Sequence, residues 1–194
     1  MTDKVQNVLL VGVGGQGVVL VGDILCDVAM RSGLDAKKSE IHGFAIRGGV
    51  VFSHVRFGEK VHSPLITMGE GDHIVAFEEM EALRWINFLR PGGGLILNTQ
   101  KIIHPLVSSG MLEYPEEIHV KLNTYQVNLS SIDALSLAID LGNNRLVSTL
   151  LIGVLSSFLD FPVELWKEVI LDHVPKGTEE RNITAFETGR ERAS

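Results

Sequence analysis

The stretch Val8-Leu9-Leu10-Val11-Gly12-Val13-Gly14-Gly15-Gln16-Gly17 decides how this chain begins to fold. Four consecutive apolar residues are typical of a strand that is buried on both faces of a parallel sheet. The glycines that follow have the spacing G-x-G-x-x-G, and residues 18–30 carry apolar side chains at helical spacing. We therefore predict a strand, a tight glycine turn and a helix that ends before Gly33.

Strands and helices alternate along the rest of the chain. The patterns predict further strands over residues 36–41, 50–57, 72–77, 95–98 and 118–127, and helices over residues 78–89, 147–159 and 163–171. A further helix is expected to be capped by Ser130 or Ser131 and to run to Leu141, whereas no element is predicted in the polar tail from Lys176. This alternation predicts one domain over residues 1–194, a three-layer α/β/α sandwich whose sheet is Rossmann-like and mostly parallel, with helices at its C-terminal end.

The predicted helix over residues 147–159 is apolar on more than one face. Such a helix is either buried in the middle of its own chain or packed against another subunit. The second interpretation predicts a homodimer when the chain is isolated.

Composition excludes several classes of function. The 194 residues are 45% hydrophobic and 21% charged, which is typical of a globular protein, and the formal net charge of -7 argues against nonspecific nucleic-acid binding. No apolar run approaches the length of about 18 residues that a membrane span needs. With a polar N-terminus in place of a signal peptide, a cytoplasmic location is expected.

The chain has a single cysteine, Cys26, so it can form no intrachain disulfide and cannot supply the four thiolates of an iron–sulfur cluster. Cys26 lies in an apolar helical pattern and is expected to behave as a small buried hydrophobe. No His, Cys, Asp and Glu set has metal-ligand spacing, and we assign no catalytic nucleophile.

The glycine turn is the first candidate ligand or partner site, with the residues Gly12, Gly14, Gly15, Gln16 and Gly17. Free N–H groups at the start of a helix attract anions, and a dinucleotide site would also need an acid about 20 residues further on. Asp35 comes early for that role and Glu40 is better placed. The alternative is that the glycines only permit a sharp turn. A polar amide at Gln16 has no packing purpose in such a turn, so we expect it to hydrogen-bond a ligand or a partner.

A second loop contributes the candidates Glu40, His42, Arg47, Gly48 and Gly49. Loops at the carboxyl ends of strands line the ligand crevice of an open α/β sheet, so this loop and the glycine turn should be neighbours. Arg47 beside two glycines is suited to clamp an anion, and Glu40 with His42 is suited to proton transfer. The alternative is a structural ion pair between Glu40 and Arg47. His54 and His62 have no convincing partner and are expected to be ordinary strand or surface residues.

A family resemblance rests on several short motifs whose order and spacing extend along the chain. They are Gly12–Gly17, Glu40-Ile41-His42-Gly43, Arg47-Gly48-Gly49, His54-Val55-Arg56, Ser63-Pro64-Leu65-Ile66, Asp72, Glu78, Glu81-Ala82-Leu83-Arg84, Pro91-Gly92-Gly93, Asn182, Ala185-Phe186 and Gly189. In this combination the chain resembles the gamma-type domain of 2-oxoacid:ferredoxin oxidoreductases. A free-standing chain of this length is most similar to the small (beta) subunits of the indolepyruvate branch of that family.

The resemblance implies a division of labour within a complex. A large (alpha) partner subunit would carry thiamine diphosphate and the iron–sulfur clusters, while this subunit would complete the site, help to bind the 2-oxoacid or coenzyme A, and exclude water. The complex would oxidatively decarboxylate an aryl 2-oxoacid to its acyl-CoA and pass electrons to ferredoxin. This chain alone would be inactive.

Two positions depart from the family pattern. Ile46 stands where the family usually carries Gln, and Ser148 stands where it usually carries Asn. Both changes remove an amide, so another aryl or a branched 2-oxoacid is an alternative substrate. Two other functions also stay open at this point, a stand-alone dinucleotide-binding or ligand-sensing module and a purely structural interface subunit.

Overall fold

A six-stranded sheet runs through the residues that the computed structural model describes, which are 5–42, 49–103, 107, 111 and 113–193. Its strands are β1 (Gln6–Val13), β2 (Asp35–His42), β3 (Val50–Gly58), β4 (Gly71–Ala76), β5 (Leu89–Asn98) and β6 (Asn128–Ile132), in the order β2-β3-β1-β4-β5-β6. The pairs β1–β4, β4–β5 and β5–β6 are parallel, whereas β3 is antiparallel to β1 and to β2. The prediction of a mostly parallel sheet is confirmed, with β3 as its reversed strand.

Strand β1 is the central hydrophobic element, as its sequence predicts. Each residue from Val8 to Val11 is 0% exposed. Successive side chains of a strand point to opposite faces of the sheet. Val8 and Leu10 belong to one hydrophobic cluster and Leu9 and Val11 to another, so β1 is covered on both faces.

Helices form a layer on each face of the sheet. One face carries α1 (Val18–Arg31), α4 (Ala134–Asp140), α5 (Val147–Ser156), α6 (Val163–His173) and α7 (Glu179–Glu191), and the other carries α2 (Glu79–Trp85) and α3 (Ile118–Leu122). The predicted three-layer sandwich is confirmed. Within the described ranges, none of these helices combines the length and the apolar character needed to cross a membrane.

Helix α5 is buried by its own chain. All ten of its residues are buried, and α7 crosses it closely at Gly153 and Gly189. The first of the two interpretations of this apolar helix is therefore correct, because α5 presents no free face to a second subunit. The expectation of a homodimer rested on an apolar face of this helix left free by its own chain, and that support is gone.

The predicted strand over residues 118–127 is wrong. Ile118 and Leu122 are buried whereas Val120 between them is 60% exposed, and the segment forms the short helix α3. Five residues that alternate between apolar and polar fit a strand, but a helix also brings positions i and i+4 to one face. The strand of this region is β6, which starts at Asn128.

The predicted cap of the next helix is also wrong. Ser130 and Ser131 lie in β6, and the N-cap of α4 is Asp133, whose carboxylate accepts a hydrogen bond from the N–H of Ser136 at 3.0 Å. Asp is as good an N-cap as Ser, so this choice required knowledge of where β6 ends. The polar tail, where no element was predicted, contains α7.

Strands β4 and β5 pair in parallel and are joined through α2, but the boundaries of these elements differ from the predicted ones. Helix α2 is followed by a single 3-10 turn, Ile86–Phe88, and β5 begins at Leu89 rather than at Leu95. The segment Pro91–Gly94, which follows the predicted helix over residues 78–89, lies inside this strand, where the pairing with β4 is irregular.

Candidate functional site

The carboxyl ends of β1 and β4 define the candidate site. The chain leaves β1 through α1 on one face of the sheet, and it leaves β4 through α2 on the opposite face. The two connections therefore diverge and leave a crevice between the two strand ends. This topological switch point is where open α/β sheets bind ligands.

The glycine turn joins β1 to α1 at this crevice. Gly15 and Gly17 have φ values of 97° and 87°, which lie in the left-handed region that side chains rarely adopt. A β-carbon on Gly15 would have no atom within 4 Å, whereas one on Gly17 would lie 2.9 Å from Cβ of Ser148 in α5. Gly15 is thus the exposed point of the turn, and Gly17 allows α5 to approach it.

The side chain of Gln16 spans the crevice. Its Oε1 accepts a hydrogen bond from the N–H of Val13 at 2.8 Å, and its Nε2 donates to the carbonyl oxygen of Phe77, just after β4, at 2.8 Å. The same Nε2 donates to Oε1 of Gln100 at 3.2 Å. The expectation that Gln16 has no packing purpose in the turn is therefore wrong, because its carboxamide joins the two strand ends.

Two further amides, which the sequence analysis did not identify, extend this network. Asn98, at the end of β5, is fully buried, and its Nδ2 donates to the carbonyl oxygen of Phe77 at 3.0 Å and to Oε1 of Gln100 at 3.3 Å. Its Oδ1 accepts a hydrogen bond from the N–H of Ala134 at the start of α4, at 3.1 Å. A signal was present in the sequence, because an Asn that ends an apolar strand of a parallel sheet lies at the ligand edge.

Gly49, the described end of the second loop, lies beside the glycine turn, as predicted. Val50 pairs with Val13 in the β1–β3 ladder, and the N–H of Gly14 donates to the carbonyl oxygen of Gly49 at 2.9 Å. The other two residues of this motif, Arg47 and Gly48, lie outside the described residues. The roles proposed for them remain predictions.

Glu40 lies near the end of β2 beside a cation of its own strand. Its carboxylate forms an ion pair with Lys38, whose ammonium group also contacts Asp23 of α1. The alternative pair between Glu40 and Arg47 falls outside the described residues, as does the side chain of His42.

Asp35 is far from the crevice. It occupies the opposite end of β2, where the N–H of Val61 donates to its carboxylate and holds its pKa below the ordinary value. Of the two acids considered for a dinucleotide site, only Glu40 lies towards the candidate site.

A buried carboxylate, which the sequence analysis did not assign to the site, lies directly after Phe77. Glu78 is 0% exposed, and its two oxygens accept hydrogen bonds from the N–H of Ile102 at 3.1 Å, the hydroxyl of Tyr114 at 2.6 Å and the N–H of Glu81 at 3.0 Å. Burial and the bond to Glu78 raise the pKa of the Tyr114 hydroxyl. Glu78 therefore ties two points of the β5–α3 connection, Ile102 and Tyr114, to the start of α2.

The remaining ionisable candidates have structural explanations. Cys26 is half-buried against the hydrophobic core, which agrees with its predicted role, and burial raises its pKa to about 11. His54 is a buried strand residue, but it does have a partner, since its Nδ1 accepts a hydrogen bond from the N–H of Ile66 at 3.1 Å. Among the described residues, no group of three or more His, Cys, Asp or Glu side chains could hold a metal ion.

Known proteins are similar in sequence to this chain over nearly its whole length. Residues 7–192 match the family model described as pyruvate ferredoxin/flavodoxin oxidoreductase. Indolepyruvate oxidoreductase subunit IorB of Thermococcus kodakarensis is 38% identical over 191 residues, which cover 96% of this chain and 95% of that protein. The protein of the same name from Pyrococcus horikoshii is 37% identical with the same coverage. The 2-oxoglutarate synthase subunit KorC of Methanothermobacter thermautotrophicus is 29% identical, over 98% of this chain and 96% of that one.

Solved structures with the same fold are more distant in sequence. The gamma subunit of a keto/oxoacid ferredoxin oxidoreductase from Geobacter sulfurreducens superimposes with a TM-score of 0.73 at 21% identity, over 97% of this chain and 98% of that one. A 2-oxoglutarate:ferredoxin oxidoreductase from Magnetococcus marinus, solved with 2-oxoglutarate, coenzyme A and succinyl-CoA, gives a TM-score of 0.76 at 21% identity. The match covers 99% of this chain but 31% of that one, so a longer polypeptide there contains this fold.

Proposed function

Because the chain belongs to the pyruvate ferredoxin/flavodoxin oxidoreductase family, we propose that it is the small subunit of a 2-oxoacid:ferredoxin oxidoreductase. The observation that carries the proposal is the likeness, over 96% of the chain, to relatives named as indolepyruvate oxidoreductase subunits. The complex would convert an aryl 2-oxoacid, with indolepyruvate as the first substrate to test, to its acyl-CoA by oxidative decarboxylation. The electrons would pass to ferredoxin.

The cofactors of this reaction are assigned to the large partner subunit. Iron–sulfur clusters are held by several thiolates, and this chain has one cysteine, whose pKa burial raises to about 11. The residues of this chain therefore do not fit a cluster. Thiamine diphosphate, which supplies the carbanion chemistry when it is bound, is likewise assigned to the partner.

The glycine turn and the base of the second loop are the part of this chain that we assign to the shared site. They lie at the ligand edge of the sheet, and Gly15 is exposed, with open space where a β-carbon would stand. Backbone N–H groups in such a turn are suited to bind the anionic groups of a 2-oxoacid or of coenzyme A. This subunit would hold substrate and exclude water, without supplying a nucleophile.

A matched pair of glycine variants tests this assignment in the complex reconstituted with its large subunit. Gly15 and Gly33 have φ values of 97° and 83°, and a β-carbon on either would have no atom within 4 Å. Ala therefore introduces a similar backbone strain at both positions, about 1–2 kcal/mol. We expect Gly15→Ala to lower the turnover of assembled complex and Gly33→Ala to leave it unchanged.

Two results would count against the proposal. Equal activity of both variants would leave a purely structural interface as the role of the glycine turn. Binding of NAD or FAD by the isolated chain at micromolar affinity, together with no 2-oxoacid oxidation by the reconstituted complex, would overturn the oxidoreductase function and favour a dinucleotide-binding module.

Ser148 is the residue that we assign to substrate preference. It stands where the family usually carries Asn, and its Cβ lies against Gly17 of the turn. We expect Ser148→Asn to change the ratio of kcat/KM between indolepyruvate and a branched 2-oxoacid. Ser157→Asn, just beyond the other end of α5 and exposed, is the control and should leave the ratio unchanged. An unchanged ratio in Ser148→Asn would remove Ser148 from the site.

A further inference from the structure

The crevice between β1 and β4 is filled by this chain itself. In a dinucleotide-binding sheet, the first glycine-rich turn lets the pyrophosphate approach the backbone at this switch point. Here the carboxamide of Gln16 lies between the two strand ends and bonds to Val13 on one side and to Phe77 on the other.

The position of the Gln16 carboxamide explains why residue 12 is a glycine. A β-carbon at Gly12 would lie 2.9 Å from each of three atoms, Oε1 of Gln16, Cβ of Phe77 and Cγ2 of Val18. Such contacts are closer than real β-carbons allow, so any larger residue would displace the carboxamide or the strand end. The first glycine of the motif thus makes room for an internal amide as well as for the turn.

The hydrogen bonds of the Gln16 carboxamide are made to other groups of this chain. Its oxygen is used by the N–H of Val13, and its amide nitrogen donates to the carbonyl oxygen of Phe77 and to Gln100. An amide in which donor and acceptor are both satisfied specifies one geometry, because losing either bond leaves a partly buried polar group without a partner. In the same turn, the N–H of Gly14 donates a hydrogen bond to the carbonyl oxygen of Gly49.

We infer that Gln16 is a positioning residue, which closes the switch-point crevice and holds the glycine turn against the second loop. The ligand-facing surface of the turn is then its outer side, around Gly15, and the crevice does not accept a dinucleotide. This inference deepens the proposed function and rests on it, since the outer surface is the one that meets the shared site.

Two isosteric variants separate the acceptor and donor roles of the carboxamide. Gln16→Glu keeps an acceptor for Val13 but turns a carboxylate towards the carbonyl oxygen of Phe77, whereas Gln16→Met removes all three hydrogen bonds of the carboxamide. Gln6→Met, at the amino end of β1, is the control. Amide hydrogen exchange in the isolated chain should show Val13 about five- to tenfold less protected in Gln16→Met only, and Gly14 less protected in both Gln16 variants.

Kinetics of the complex reconstituted with its large subunit test the positioning role. With activity normalised to assembled complex, we expect both Gln16 variants to lower kcat by about 10- to 100-fold, with KM for the 2-oxoacid changed far less. Gln6→Met should match the wild type. A kcat within twofold of the wild type in both Gln16 variants would overturn the inference.

The closed crevice and the proposed function would be overturned by different results. Saturable binding of NAD at micromolar concentration by the wild-type chain, without displacement by coenzyme A, would overturn the closed crevice, whatever the complex does. Absence of 2-oxoacid oxidation by the wild-type complex would overturn the proposed function, and the exchange of Val13 and Gly14 would still decide whether Gln16 holds the turn.

Discussion

Gly153 of α5 and Gly189 of α7 lie in direct contact where the two helices cross. A β-carbon on Gly153 would be 2.2 Å from the carbonyl oxygen of Phe186, and one on Gly189 would be 2.1 Å from that of Leu150. Both obstacles are backbone atoms, which cannot rotate away as a flexible side chain would. The glycine pair therefore sets the distance between the last helix and the buried helix α5.

Adding a methyl group at this crossing should destabilise the fold. We expect Gly153→Ala and Gly189→Ala each to lower the free energy of unfolding by about 1–3 kcal/mol or more, despite the better helix propensity of Ala. Urea titration of the isolated chain measures the effect. Glu191→Ala, on the exposed side of α7, is the control and should change stability by less than about 0.5 kcal/mol. Wild-type stability in both glycine variants would contradict the close crossing.

Neutralising Glu81 should stabilise the protein at neutral pH. Its side chain is 1% exposed, and burial raises the pKa of its carboxyl above the ordinary value. The folded state therefore binds the proton more tightly than the unfolded state, and stability falls as pH rises from about 4.5 through the folded pKa. Glu81→Gln should unfold at higher urea concentration than the wild type at pH 7, with the difference vanishing near pH 4. The exposed substitution Glu59→Gln should produce no such difference, and a less stable Glu81→Gln at pH 7 would contradict the prediction.

His54 should make the protein less stable in mild acid. Burial, and to a smaller extent Arg56, lower the pKa of its ring below the ordinary 6.5. The stability that the neutral ring contributes is present above that value and is lost as pH falls below it. Asn keeps an acceptor near the position of Nδ1, so His54→Asn should show a smaller loss between about pH 7 and pH 5. Urea titrations across this range measure it, and exposed His62→Asn should retain the wild-type slope.

The main elements of this fold were predictable because their patterns are local and repeated. Strand β1 is an unbroken apolar run, and α1 follows it with helical spacing and a glycine stop at Gly33, whose φ is 83°. Helix α3 and strand β6 were not predictable in this way, because the five alternating residues 118–122 fit the period of a strand as well as that of a helix. Helix α7 was missed because two of its buried positions are Asn182 and Gly189, which carry no hydrophobic signal but pack against α5.

The site was only partly predictable for a related reason. The glycine motif is recognised from its sequence spacing. Its proximity to Gly49 follows because loops at the carboxyl ends of parallel strands lie at the same edge of the sheet. The partners of Gln16 do not, because Phe77 and Gln100 are 61 and 84 residues away and one of the bonds is to a backbone carbonyl. The motif alone therefore favoured an external ligand for an amide that the fold uses internally.

Cys26 should react slowly with alkylating reagents in the native protein. The thiolate is the reactive form, and burial raises the pKa of this thiol to about 11, while the nearby Lys38 lowers it. At pH 8 we expect iodoacetamide to modify native Cys26 roughly 100-fold more slowly than it modifies the urea-unfolded chain. Lys38→Met should slow the native reaction further, because the cation that favours the thiolate is lost. Lys37→Met, at the preceding residue of β2, whose side chain is directed to the other face of the strand, should leave the rate unchanged. Equal rates in the native and unfolded wild type would contradict the raised pKa, and a faster reaction in Lys38→Met would show that this lysine shields the thiol rather than promoting its ionisation.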